Sequence, residues 1–370
     1  MNIIKSSNPV RLIAFFLTAI LLISTFGFTS DGWKDDNNQS ASKPSNDQIT
    51  DENFENANDS NNASDDTADI FIPKYYNRLT GIETTEAIAS GLHLAFILDS
   101  SLPCYGISNA DIICEIPTEK GSRLIALVPE SYDNWKIGPV SPTRGYISNI
   151  SKFFSAISIS FGIDDSINYN QCNVRDTYID LSKNENHFYT EYTNNVYSNS
   201  SLLTPIIKDM IPEGNGSLFT EDPFIFRIPD DPDIEQDGIT AEKITLTASD
   251  FETKQFVFNC ETSSYLLTKN HSPLSDAING KRLEFTNCFI LFADSIIYDN
   301  AKYAQMVMDT IGNGVGYYLT GGKAYEINWA STAEGKLTLT DKNGEELYVT
   351  PGKSYIYYCK ASVMGKITFE

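Results

Sequence analysis

Five polar side chains, Glu115, Glu119, Arg123, Arg144 and His187, combine reactive types with positions where apolar elements end. Glu115, Glu119 and Arg123 lie in NADIICEIPTEKGSRLIALVPE (109–130), Arg144 in KIGPVSPTRGYI (136–147) and His187 in NENHFYT (184–190). Two arginines can hold an anion in forks of N–H donors, and a helix start adds its own preference for negative charge. Glu115 or His187 would then act as acid or base. The same residues support a plainer arrangement. Glu115 and Arg123 can pair across neighbouring strands, while Arg144 and His187 satisfy backbone carbonyls. Residue type and spacing favour this pairing over catalysis, with simple ligand binding between the two.

Other chemistry-bearing motifs fail on spacing. Asp99-Ser100-Ser101 lacks the G-x-S-x-G elbow of a serine nucleophile and reads as a strand-end turn. Asp233, Glu235, Asp237 and Gly238 begin like a calcium loop, but Ile244 stands where the closing carboxylate belongs. Gly322-Lys323 and Gly352-Lys353 lack the spacing of a phosphate loop. The six cysteines form no C-x-x-C pair, and Cys114, Cys260, Cys288 and Cys359 fall inside strand-like runs, as buried free thiols do. No cofactor and no metal is expected. Tyr317, Tyr318, Tyr325, Trp329, Tyr355, Tyr357 and Tyr358 suit either a sugar-binding face or cross-strand packing, and packing is favoured.

The elements that must position these groups are legible as patterns. HLAFIL (93–98) is a short strand, and the runs 112–116 and 124–128 flank the turn TEKGS. After Pro142, Ile147, Ile150, Phe154 and Ile157 recur at helical spacing, with Thr143 or Ser141 as the cap. SAISISFGI (155–163) alternates strictly and predicts a half-buried strand. A further helix is predicted near Leu202–Met210. From about residue 223 strand-like runs follow at short spacing, separated by turns such as Asn343-Gly344. The expected fold class is α+β: an N-terminal α/β domain (70–222), then a mainly antiparallel β domain (223–370). The acidic link Pro229–Gly238 would separate them, and the second domain would fold on its own.

Charge and leader bound the function. The chain carries a net charge of −22, and residues 31–70 hold eleven acids against Lys34 and Lys43. A body without a basic block argues against nucleic acid and against docking on anionic lipid. Lys5 and Arg11 precede or open the charge-free run Leu12–Phe28, so residues 1–30 read as a signal peptide or N-terminal membrane anchor. No cysteine ends that run, which excludes acyl-glyceryl lipidation there. Residues 31–69, rich in Asn, Asp and Ser, read as a disordered acidic linker.

Taken in order, ADIICEIPTEKGSRLIALV, IGPVSPTRGY, His187 in NENHFYT, DTIGNGVGYYLTGGKAYEINW and LYVTPGKSYIYY resemble the YerB-like family, over about residues 77–360. These are exported, usually lipid-anchored proteins of low-GC Gram-positive bacteria. The resemblance implies an α/β N-terminal domain, a β-rich C-terminal domain and no established activity. It carries over Glu115, Arg123, Gly138, Pro139, Arg144 and His187. Ser141 departs from the family pattern by replacing an arginine, and Phe188 by replacing an asparagine. ISISFGI lacks the family's histidine, and the lipid-bearing cysteine is missing. The expected function is an exported, surface-tethered or secreted envelope protein, lipoprotein-like, that binds or scaffolds through an anion-receptive cleft. Its ligand is unknown, with wall polymer the class considered, and its membrane contact runs only through the N-terminal segment. The alternative is a wall-polymer hydrolase or transferase using Glu115, Arg144 and His187, which requires the three to converge in one pocket.

Overall fold

LIALV and, but for Glu115, IICEI are apolar at successive positions, and a strand covered on both faces satisfies such a run. The computed structural model describes residues 74–130, 136–163, 178–191, 194–210, 222–227, 238–249, 251–300 and 303–370. In its first part lie β1 (His93–Asp99), β2 (Ile112–Thr118), β3 (Gly121–Pro129), β4 (Ala156–Ser160) and β5 (Tyr178–Asp180), with helices α1 (Glu86–Ala89), α2 (Gly145–Phe153) and α3 (Ser200–Met210). Then come β6 (Ile239–Thr240), β7 (Lys243–Ser249), β8 (Glu252–Asn259), β9 (Ser264–Lys269), β10 (Ser272–Pro273) and β11 (Glu284–Phe285). The last are β12 (Asn287–Ala293), β13 (Gly312–Thr320), β14 (Lys323–Ser331), β15 (Leu337–Asp341), β16 (Ser354–Lys360) and β17 (Ile367–Phe369). The leader, the acidic linker, Cys172 and most of Pro229–Gly238 lie outside the described residues.

The fold is mostly β. Among the described residues eleven strands form one mixed sheet, in the order β6-β14-β13-β12-β16-β2-β3-β1-β4-β5, with β15 beside β14. The β12/β16, β16/β2, β1/β4 and β4/β5 pairs are parallel. Strands after residue 223 are thus not all antiparallel, because the chain leaves β12 and returns as β16 only after β13–β15. A second, antiparallel sheet runs β10-β9-β8-β7-β17, with β11 beside β9.

The part of the large sheet around β1, β2 and β3 is covered on both faces. Ile244, Leu246, Phe256 and Leu267 of the second sheet share one core with Phe96, Ile113 and Leu124. Tyr146, Ile147, Ile150 and Phe153 of α2 share the other with Ile97, Ile116 and Ile125. Burying each such aliphatic side chain contributes about 1.5–3 kcal/mol. This coverage corrects the half-buried strand: all five residues of β4 are buried, serines included. Ser160 is accommodated by donating to the Gly162 carbonyl at 2.8 Å. Two further corrections are local. Arg144 is the N-cap of α2 and makes no side-chain cap bond, while Thr143 and Ser141 engage Gly162 and Ile97 through their backbone N–H groups. Cys260 sits exposed in the turn after β8, whereas Cys114, Cys288 and Cys359 are buried free thiols. No helix among the described residues is long and apolar enough to cross a membrane.

Strand β16 lies between β12 and β2, in register from Ser354 opposite Ile112 to Tyr357 opposite Glu115. A fragment spanning 223–370 would bare this interior edge. The expected result is no cooperative melt by circular dichroism for the fragment alone, and recovery on adding 70–222. A cooperative melt of the isolated fragment would contradict the need for the shared sheet.

Candidate functional site

Side chains alternate along a strand, so the β2/β3 register decides which polar groups can meet. Glu115 stands opposite Leu124, and Arg123 opposite Ile116. Glu115 therefore faces the second sheet and Arg123 faces α2. The cross-strand pair expected between them does not form. Arg123 instead lies opposite Asp99 of β1, with Nη1 3.5 Å from its carboxylate. Arg144 donates through both terminal nitrogens to Glu119, one contact being 2.7 Å, and both side chains are largely buried. That hydrogen bond, against opposing burial, pulls the Glu119 carboxyl down to about 2.

The remaining expected residues play backbone parts. His187 ends a 3-10 turn, and its carbonyl accepts from Ser198 Oγ at 2.7 Å. Gly138 has φ 153°, and a Cβ there would lie 2.6 Å from the Tyr197 ring and the Val196 carbonyl. Close backbone approach demands glycine at this position.

Glu115 anchors a different constellation, in a cleft of about 350 Å³ between the two sheets. Arg123, Gly138, Arg144 and His187 are not among the residues lining it. Lys254 Nζ of β8 lies 2.7 Å from Glu115 and 3.5 Å from Glu252. Lys269 Nζ of β9 lies 3.1 Å from Glu252 and 3.5 Å from Glu115, and donates to Ser122 Oγ at 3.1 Å. Ser122 Oγ donates to Glu115 at 2.5 Å, and Tyr355 Oη of β16 donates to it as well. Ser100 Oγ lies 2.6 Å from Ser122 Oγ. The Lys254 ammonium also lies over the Tyr357 ring, 4.6 Å from its centroid.

Electrostatics follow from this geometry. Burial alone would raise the Glu115 carboxyl, but Lys254 and Lys269 and the Lys254 and Ser122 hydrogen bonds bring it down to about 2. Burial would lower Lys269, yet Glu115 and Glu252 hold it above its ordinary value. Burial, with Glu115 adding to it, pushes the Tyr355 hydroxyl well up. Burial likewise pushes the Cys104 thiol, which lines the cleft, up to about 12. A carboxylate this acidic is a poor general base near neutrality, and such a thiol is a poor nucleophile. Two lysines balance two glutamates, so the floor is neutral and mutually satisfied. The Lys269 side chain, 33% exposed, is the charged group within reach of a ligand.

Lys254 and Lys269 escaped notice in the sequence as ordinary strand charges. One signal pointed to Lys254: it shares the alternating face of Phe256 and Phe258, and an inward lysine demands a buried partner.

Residues 79–211 match the family model described as the N-terminal domain of a protein of unknown function (DUF3048), and residues 244–356 match its C-terminal domain. Among solved structures, the crystal structure of YerB protein from Bacillus subtilis matches with a TM-score of 0.65 and 19% identity, covering 80% of this chain and 100% of that one. At that identity the likeness is one of fold. No curated protein matches.

Replacing Glu115 by Gln takes from buried Lys254 its nearer counter-charge, leaving only Glu252 at 3.5 Å, and should lower stability by on the order of 3 kcal/mol at neutral pH. Because the folded carboxyl titrates at about 2 rather than the ordinary 4.5, its contribution is full above pH 4.5 and fades as pH falls toward 2. Glu119 loses its contribution in the same window, so the difference between wild type and E115Q isolates Glu115. That melting-temperature difference should shrink between pH 4.5 and 2, and a constant difference would contradict the assignment. For the second pair, Arg144→Ala and Glu119→Gln should couple by about 1 kcal/mol in a double-mutant cycle. Additive losses would show that the ion pair contributes nothing.

Proposed function

The chain belongs to the YerB-like family, whose two domains carry no stated activity, and we propose that it is a binding module taking a small polyhydroxylated ligand between its two sheets. One observation carries this reading: a cleft of about 350 Å³ that mixes hydroxyls with apolar walls over a neutral, hydrogen-bonded floor. Ser100, Ser101, Thr268, Ser272 and Ser275 line it, beside Leu102 and Leu267. Such a lining suits sugars, which present apolar ring faces and hydroxyl edges, and the volume lies within the ordinary range of ligand sites. Lys269 supplies the anion-receptive element. Support for binding over wall-polymer hydrolysis or transfer comes from the ionised, fully engaged Glu115 and from Arg144 and His187 lying outside the cleft.

We place this module outside the cytoplasm, on the strength of Lys5 and Arg11 beside the charge-free run Leu12–Phe28. Residues 31–69 would act as the acidic tether, and wall polymer is then the ligand class at hand. We keep 70–222 as an α/β unit and 223–370 as a β-rich unit. The two family matches, which fall on either side of residue 223, support that division.

Titrating soluble wall oligosaccharides into the protein should shift amide resonances of residues 267–275. Lys269→Gln should weaken binding about tenfold, or about 1.4 kcal/mol, and, because Lys254 still faces Glu115, lower the melting temperature less than Glu115→Gln does. Saturating oligosaccharide that leaves those resonances unmoved would overturn the reading.

A further inference from the structure

In so acidic a chain, a cavity lined by three cations and a single carboxylate stands out. A second cavity of about 170 Å³ lies beside the cleft, and Ile107 lines both. Lys281, Arg282 and Lys353 line this smaller cavity. Among the described residues none of the three is within ion-pair distance of a carboxylate, in contrast to Arg78, Arg123 and Arg144. Arg282 Nε is buried without a hydrogen-bond partner. A buried guanidinium nitrogen left unmatched is costly, and a bound acceptor would satisfy it.

Lys353 favours an anion, Glu284 opposes one, and the surrounding groups limit its size. Lys353 Nζ donates to the Ser108 carbonyl at 2.8 Å, which leaves two of its three donors for a ligand. Burial lowers the Lys353 ammonium; Asp111 opposes that effect and Lys281 adds to it, as expected of cations crowded together. Glu284 also lines the cavity and accepts from Ser264 Oγ at 3.0 Å. Hydrogen bonds tie the adjoining turn to the wall: Asp276 accepts from the backbone of Gly106 and Ser108 and from Ser108 Oγ, and Ser275 forms an antiparallel bridge with Arg282. Such a volume holds one compact oxyanion, and three cations favour the higher charge of a phosphoryl group over a carboxylate.

We propose that Lys281, Arg282 and Lys353 form a phosphoryl-binding site, distinct from the sugar-type cleft and independent of what that cleft binds. The test titrates the full chain at constant ionic strength with inorganic phosphate, glycerol 3-phosphate, dimethyl phosphate or acetate. Binding is followed by calorimetry and by the amide resonances of residues 281–285 and 353. Phosphate or one of its esters should bind saturably, at least tenfold tighter than acetate. The ester arms tell a free anion from a phosphoester as the natural source. Lys281→Gln with Arg282→Gln should weaken binding at least tenfold, while Lys366→Gln, an exposed control, should change it less than twofold. If the double variant unfolds, Lys281→Gln alone, at an exposed position, should weaken binding three- to fivefold. Non-saturable binding, equal affinity for acetate, or unchanged affinity in the variants would overturn the proposal.

Discussion

The buried Glu115 carboxylate and its partners hold the two sheets in one arrangement. A charge withdrawn from water persists only if other groups replace the lost hydration. Here the replacements come from separate elements: Ser122 from β3, Lys254 from β8, Lys269 from β9 and Tyr355 from β16. Slipping β8 by one residue against β7 and β9 would turn Lys254 outward and leave Glu115 without it. The network's contribution therefore lies more in fixing which packing forms than in adding net stability.

The same alternation distributes the other charges. Strands β2 and β3 present one face to the α2 core and the other to the second-sheet core, so neighbours in sequence serve different sites. Arg123 and Arg144 belong to the α2 side and are neutralised by Asp99 and Glu119. On the opposite side Glu115 and Glu252 neutralise Lys254 and Lys269. Three further cations, Lys281, Arg282 and Lys353, gather at one small cavity. The arginines singled out by sequence position are thus engaged in ion pairs, and the proposed receptive surfaces draw on lysines and an arginine from the second half.

Local features were legible in the chain and long-range ones were not. The runs 112–116 and 124–128, flanking TEKGS, became β2 and β3, and the run 243–247 became β7, because apolar periodicity and turn chemistry act over a few residues. The parallel seam of β12, β16 and β2 was illegible, since no local pattern names a strand's partner across two hundred residues. The serines of β4 misled for a related reason. Alternation signals a solvent face only when nothing else covers that face, and α2 covers it. The candidate site failed in the same way. Its acid, Glu115, was visible, but its partners Lys254 and Lys269 arrive from a different sheet.

The central claim is that Glu115 is an ionised, fully partnered carboxylate joining the two sheets. The most direct measurement is a pH titration of its side-chain carboxyl carbon by NMR in the folded protein. The account predicts a shift that stays at the ionised value well below pH 4.5, with a midpoint near 2. A midpoint near 4.5 in the folded state would contradict it, since the carboxylate would then lack the lysines that define the cleft floor.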